Sequence, residues 1–223
     1  MRFGGIWRCD NYDLRKYSPK SIDYFLDIGG CEGTTSVLFK SIDPFATVIA
    51  LEPCINDYDL MKVAAGTWDV QCYNMALGNG EPMCFEYRKS GGHRLYTERE
   101  KKWWPEDSYM VESRTLPQLM EQFGIKGRYI IKIDCEGGER FILDDPLAID
   151  IIKGCVQFNL EYHRGFGGKT ERWHEWFGNF ADTHDLFMRT KKPDAHGSFF
   201  APSTGPVRGW RSEYMLVRKK DGT

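Results

Sequence analysis

The stretch "DIGGCEGTTS", Asp27 to Ser36, joins an apolar run to a helix-like run through adjacent glycines Gly29 and Gly30, with Gly33 close behind. "YFLDI" (24–28) before it reads as a short buried strand, and "TTSVLFKSI" (34–42) after it as a helix. Strand, glycine turn and helix make the first βα unit, and the alternation continues along the chain. "TVIALE" (47–52), "VQCYN" (70–74), "RYIIKID" (128–134) and "CVQFNLE" (155–161) read as further strands. "INDYDLMKVAAG" (55–66) is a helix, and "ERFILDD" (139–145) a short one that Pro146 limits. In "TLPQLMEQFG" (115–124), Leu116, Leu119, Met120 and Phe123 share a helical face, Thr115 and Gln118 can close a capping box, and Gly124 suits the stop. "TERWHEWFGNF" (170–180) lines up Trp173, Trp176, Phe177 and Phe180 as a core-packing stripe. "DLFMRT" (185–190) and "EYMLVRK" (213–219) are two expected final strands. The stretch 78–113, with glycines, charges and the alternating "MCFEY", is expected to be a hairpin plus a mobile loop.

Strands alternating with helices predict an α/β fold, a parallel sheet covered on both faces. The chain has 223 residues, enough for one domain over 1–223, with a short N-terminal segment at 1–22 and an expected substrate loop at 191–212. A formal charge of −2 gives no general affinity for nucleic acid or an anionic membrane. No apolar run reaches the ~18–20 residues of a membrane span, and the first residues, "MRFGGIWRCDNYDLRKY", lack the apolar core of a signal peptide. Seven cysteines, an odd count with no C-x-x-C pair, read as buried reduced thiols in a cytoplasmic setting.

Ligands on such a sheet bind outside the carboxyl ends of the strands, so the residues just after each strand carry the function. After the first come Asp27, Gly29, Gly30 and Gly33, spaced unlike the G-x-G-x-x-G of nicotinamide dehydrogenases. Glu32 in this turn disfavours a phosphate, and Asp27 and Glu32 suit a ligand with an ammonium or sulfonium group. After the second strand comes Glu52, 25 positions beyond Asp27, suited to both hydroxyls of a ribose, and Pro53 is expected to open the next helix. After the third comes Asn74, whose amide can read an adenine edge, with Met75 and Ala76 offering apolar contact to the ring.

This order resembles the Rossmann-like methyltransferases that use S-adenosylmethionine and, more narrowly, the FkbM family. The matching pieces are "DIGGCEGTTS", "VIALEP", "NMALGNGE", "TLPQLMEQFGI", "IIKIDCEGGERFIL" and "VQFNLEYH", spanning about residues 24–163. The resemblance implies a class I methyltransferase fold: a seven-stranded, mostly parallel sheet with helices on both faces and an antiparallel last strand. It also implies S-adenosyl-L-methionine as donor and O-methylation of a hydroxyl, often on a sugar, glycan or small natural product.

"KIDCEGGE" gathers Lys132, Asp134, Glu136 and Glu139 at one strand end. A helix start explains Glu136 and Glu139; Lys132 and Asp134 need another reason to be there. A hydroxyl is a poor nucleophile at neutral pH, so methyl transfer to it needs alignment and a base, a metal, or both. Lys132, Asp134 and His163 form the candidate catalytic set, with Asp134 and His163 as alternative bases. Asp134, Glu161 and His163 can instead hold a divalent cation such as Mg, or form an ion-paired network that orders the sheet end. Basic and aromatic residues in the loops 88–108 and 191–212, with Arg164, Lys169 and Arg172, suit an acceptor's sugar face or anionic group. The expected partner is therefore a small-molecule or glycan acceptor, with no membrane. Two alternatives remain: a methyltransferase acting on RNA or a nucleotide, and a non-catalytic module that binds S-adenosylmethionine.

Overall fold

A computed structural model describes residues 10–17, 21–88, 93–163, 170–189, 200–202 and 211–219. The strands are β1 (Tyr24–Ile28), β2 (Thr47–Leu51), β3 (Val70–Tyr73), β4 (Ala76–Leu77), β5 (Met83–Glu86), β6 (Arg94–Tyr96), β7 (Tyr109–Val111), β8 (Ser113–Arg114), β9 (Tyr129–Ile133), β10 (Gln157–His163), β11 (His184–Arg189), β12 (Phe200–Pro202) and β13 (Arg211–Arg218). The helices are α1 (Leu14–Tyr17), α2 (Thr34–Ile42), α3 (Ile55–Gly66), α4 (Leu116–Gln122), α5 (Pro146–Gly154) and α6 (Thr170–Gly178).

The main sheet runs β12-β11-β13-β10-β9-β1-β2-β3. Seven of these strands form the sheet expected of a Rossmann-like methyltransferase, and the short β12 extends its edge. β3, β2, β1, β9 and β10 are parallel, whereas β13 is antiparallel to both β10 and β11. Alternate side chains leave opposite faces of a strand, and each face has its own core. Leu26, Ile49, Ile131 and Phe158 pack with residues of α4, α5 and α6, while Phe25, Val48, Ala50 and Ile130 pack with α2 and α3. The aromatic stripe of α6 is core: Trp173 lies 4.9 Å from Tyr162 and Phe177 4.7 Å from Tyr214, ring centre to ring centre.

Three local expectations change. Pro146 starts a helix as well as ending a segment: it opens α5, with Asp145 Oδ1 accepting from Leu147 N at 3.0 Å as the cap. Before it, "ERFILDD" is a 3₁₀ turn over Gly138–Ile142. The stretch 78–113 holds a three-stranded antiparallel sheet, β6-β5-β7, and a 3₁₀ helix over Glu98–Trp103. Arg140 fastens that part of the expected loop, donating to Glu100 Oε2 at 3.0 Å and to Leu95 O at 3.3 Å. Of the expected substrate loop 191–212, only 200–202 and 211–212 fall within the described residues, as strand. Arg164 and Lys169 lie outside them, and Arg172 pairs with Asp144. The six described cysteines are free thiols, four of them buried, and no helix among the described residues is long and apolar enough to cross a membrane.

Candidate active site

The turn after β1 is built around Lys132. Register puts Lys132 opposite Asp27 on β1 and Asn159 on β10, in the middle of the sheet. Its ammonium lies 3.0 Å from Asp27 Oδ1 and donates to Gly29 O at 2.6 Å. Burial works against that charge, yet Asp27 and Asp134 outweigh it and hold the Lys132 pKa above its ordinary value. Ser36 Oγ donates to the other Asp27 oxygen at 2.6 Å. Asp27 is thus fully buried and engaged within the chain, where it holds the turn, and it lines neither of the two cavities at the strand ends.

The glycines make room first for the chain itself. Gly29 has φ +79°, and a Cβ there would stand 1.7 Å from Asp134 O. At Gly30 a Cβ would meet Met61 Sδ at 2.7 Å. The turn can therefore press against the end of β9 and against α3, which brings Asp134 directly beneath it.

Glu52 is nearly buried, and its carboxylate grips both neighbouring loops. Cys31 N donates to Oε2 at 2.9 Å, and Cys54 N donates to Oε1 at 2.8 Å. Burial pushes its pKa up to about 7, against the opposing pull of these two N–H groups. The Cys54 bond keeps the chain extended, so Pro53 stands before the cap residue Cys54 rather than at the first helical position. Asn74 Nδ2 donates to Glu52 O at 2.9 Å and to Pro53 O at 3.0 Å. The amide expected to read a base thus fixes this turn, while Met75 and Ala76 are packed into the core.

Two cavities meet at Gly29, Cys31 and Asp134. One, of about 210 Å³, runs past Glu52 and Pro53 to Asp57, Phe85 and His93. The other, of about 240 Å³, runs past Thr34, Thr35 and Lys132 to Tyr12, Arg189 and Glu213. A larger hollow of about 920 Å³ opens at the amino ends of β1 and β2. That is the opposite end from where ligands bind on parallel sheets.

Below the junction sits a histidine among carboxylates. His163 Nε2 lies 3.1 Å from Glu161 Oε1, 3.4 Å from Glu136 Oε2 and 3.8 Å from Asp134 Oδ1. Glu139 is fully buried and accepts from His163 N at 2.9 Å, with Nδ1 at 3.2 Å from the same oxygen. Burial disfavours the charged imidazole, but Glu139, then Glu136 and Asp134, outweigh it and hold the His163 pKa above its ordinary value. Tyr12 OH donates to Asp134 Oδ2 at 2.9 Å.

A comparison with curated proteins gives no match. A family model described as the methyltransferase FkbM domain matches residues 27–191. The chain belongs to the FkbM methyltransferase family. A solved FkbM methyltransferase from Methylobacillus flagellatus KT superposes with a TM-score of 0.52 at 11% identity, over 88% of this chain and 44% of that one. At that identity the likeness shows the fold. A precorrin-6Y C5,15-methyltransferase from Geobacter metallireducens aligns with a TM-score of 0.44 at 12% identity, over 92% of this chain and 85% of that one. An O-methyltransferase from Bacillus cereus in complex with SAH aligns with a TM-score of 0.41 at 11% identity, over 87% and 74%.

In this FkbM methyltransferase the strand ends gather most of the residues picked out from the sequence. Gly29, Gly30, Glu52, Pro53, Lys132, Asp134 and Glu161 line the cleft, and His163 sits against Asp134 and Glu161. Gly33, with φ +83°, caps α2 and packs on Ala65 and Met61. Sequence reading missed Tyr12, Asp57, Phe85, His93, Arg189 and Glu213, all of which line the cavities. Tyr12, Arg189 and Glu213 reach the cleft from segments far along the chain, which leaves no local pattern, whereas Asp57 lies on the first turn of α3. Glu139, read from the sequence as a helix-start acid in the same charged run as Asp134, instead holds His163.

Proposed function

We propose that the protein transfers a methyl group from S-adenosyl-L-methionine to a hydroxyl of a sugar, glycan or small natural product. The observation that carries this reading is the double cleft, joined at Asp134 beneath the Gly29 turn. The residues fit the donor. Glu52 is held by two backbone N–H groups at the mouth of one arm, with lone pairs still able to accept ribose hydroxyls. The other arm offers Thr34, Thr35 and Glu32 to an amino-acid moiety. Bound there, S-adenosylmethionine supplies an activated methyl group on a sulfonium.

The chain then has to align the acceptor and handle its proton. Lys132 keeps its own proton and holds the Gly29 carbonyl, so it acts as a positioning residue. Asp134 is the base that faces both arms of the cleft. His163 turns Nε2 toward Glu161 and Asp134 while Glu139 holds Nδ1, an arrangement that suits a metal ligand. Asp134, Glu161 and His163 have ligand atoms within 4.8 Å of one another, a donor set that suits a divalent cation such as Mg²⁺ or Mn²⁺. Glu139 on Nδ1 gives the outer-shell support typical of a ligating histidine. Such a cation would lower the pKa of an acceptor hydroxyl. The free, buried thiols support a reducing, cytoplasmic setting.

Calorimetry with S-adenosylhomocysteine tests the donor, and mass spectrometry of candidate acceptors incubated with deuterated-methyl donor tests the reaction. Expected are saturable binding and one labelled methyl on an oxygen. No binding would overturn the reading, and binding with label on carbon or nitrogen would overturn O-methylation alone.

A further inference from the structure

The arm of the cleft beyond Glu52 is lined by three residues, of which the sequence pattern singles out none for the cofactor and places His93 only within a loop expected to meet the acceptor. Asp57 comes from the first turn of α3, Phe85 from β5, and His93 from the residue before β6. The His93 ring is fixed by its neighbours: its centroid lies 5.3 Å from that of Phe85 and 5.1 Å from that of Tyr87. Arg88 N donates to His93 Nδ1 at 3.1 Å. A ring nitrogen that accepts from an amide carries no hydrogen, so the neutral imidazole bears its hydrogen on Nε2. That Nε2 lies 3.7 Å from Asp57 Oδ2. A donor and an acceptor of fixed sense therefore stand side by side at the end of the cavity.

We propose that Asp57 and His93 read the purine base of the cofactor. His93 Nε2–H donates to a ring nitrogen of adenine, and the Asp57 carboxylate accepts from the 6-amino group. Adenine offers a ring acceptor beside that donor, whereas a 6-oxo purine turns an oxygen toward the carboxylate, where two acceptors repel. The proposal rests on the cleft being the S-adenosylmethionine site, and it assigns to this pair the reading expected of Asn74, whose amide holds the Glu52–Pro53 turn. Cys54, Asp57 and His93 also have ligand atoms within 4.8 Å of one another. A metal on Nε2 would require a hydrogen on Nδ1, directed at the Arg88 N–H, so the geometry favours donor over ligand.

The test is calorimetry on the full chain with S-adenosylhomocysteine and its 6-oxo analogue, S-inosylhomocysteine. The wild type is expected to prefer the adenosyl compound by roughly 100-fold, because the 6-oxo compound sets an oxygen against the half-buried Asp57 carboxylate and a ring N–H against the His93 donor. Asp57→Asn, which can turn an amide N–H toward a 6-oxo group, should narrow that preference about tenfold or more. His93→Gln, which keeps a donor, should bind the adenosyl compound more tightly than His93→Leu. If Asp57→Asn keeps the wild-type ratio while circular dichroism shows it folded, the base-reading assignment falls and the cofactor site stands. If the wild type binds neither compound, both fall together.

Discussion

Tyr12 donates its hydroxyl to Asp134 Oδ2 at 2.9 Å, a bond between residues 122 positions apart. It brings the segment before β1 into the centre of the cleft, where Tyr12 lines the same cavity as Lys132 and Glu161. Burial first, and Asp134 second, push the Tyr12 pKa well above its ordinary value, so the phenol remains a donor. Tyr12→Phe should lower turnover about tenfold by freeing the Asp134 carboxylate to rotate. Stability should fall by only about 1 kcal/mol, because the Asp134 side chain is 22% exposed and water can replace the lost partner. Single-turnover kinetics and thermal unfolding separate the two effects.

Affinity for the adenosyl cofactor should depend on pH through Glu52. Its carboxyl titrates at about 7 in the folded chain against 4.5 in the reference state, with burial as the main cause. A raised folded value means that the native state holds this proton more tightly. Its contribution to folding is therefore fully present below the unfolded value and is lost as pH rises through about 7. Ribose hydroxyls need the ionised form, so affinity for S-adenosylhomocysteine should run the other way. It should strengthen as pH climbs toward 7 and level off above it. Calorimetry from about pH 6 to about pH 8 reads this slope, and Glu52→Gln should flatten it while weakening binding at the upper end.

Gly29→Ala should unfold or severely destabilise the chain. The added Cβ would lie 1.7 Å from Asp134 O, on a residue with φ +79°. Relief requires the β1 turn and the end of β9 to part, a loss of roughly 3 kcal/mol or more. Gly66→Ala is the matched control, since a Cβ there meets nothing within 4 Å. At the end of α3 it should leave stability unchanged or raise it by up to about 1 kcal/mol. Thermal or urea unfolding of both variants makes the comparison.

Chelation should reduce turnover, and added Mn²⁺ should restore it. Glu139→Gln keeps a hydrogen-bonding group beside His163 Nδ1 but removes the charge that supports it. Mn²⁺ affinity, read by calorimetry or paramagnetic relaxation, should fall about 10–100-fold, the usual effect of losing an outer-shell carboxylate. Full activity in EDTA would leave Asp134 to act without a metal.

Much of this was legible in the chain because buried parallel strands are continuous apolar runs. "YFLDI", "TVIAL" and "YIIKI" identify themselves as β1, β2 and β9, and ligand-facing residues follow such strands directly. Glu52 and Asp134, picked out by that rule, line the cavities at the strand ends. The rule does not show which polar side chains also satisfy the chain itself, as Asn74 does with Glu52 O and Pro53 O. Asp27 is another such residue, because Lys132 and Ser36 engage its carboxylate inside the sheet. α5 escaped because proline both ends and begins helices, and only the Asp145 cap decides which. Tyr12 and His93 carry no periodic signal at all; they matter through partners that lie far along the chain.

The position of β13 also governs how the molecule is made. It is the last strand among the described residues, yet it lies between β10 and β11. While the ribosome is still extending the polypeptide, β10 presents an open edge, and β11, which pairs with β12, is not joined to it until residues 211–218 emerge. Glu213, which pairs with Arg189 at the mouth of the cleft, arrives in the same step. A nascent chain can thus assemble the half of the sheet from β3 to β10 early, but it completes the side lined by Arg189 and Glu213 only once residues 211–218 have emerged, and an exposed edge in that interval is where misassembly would begin.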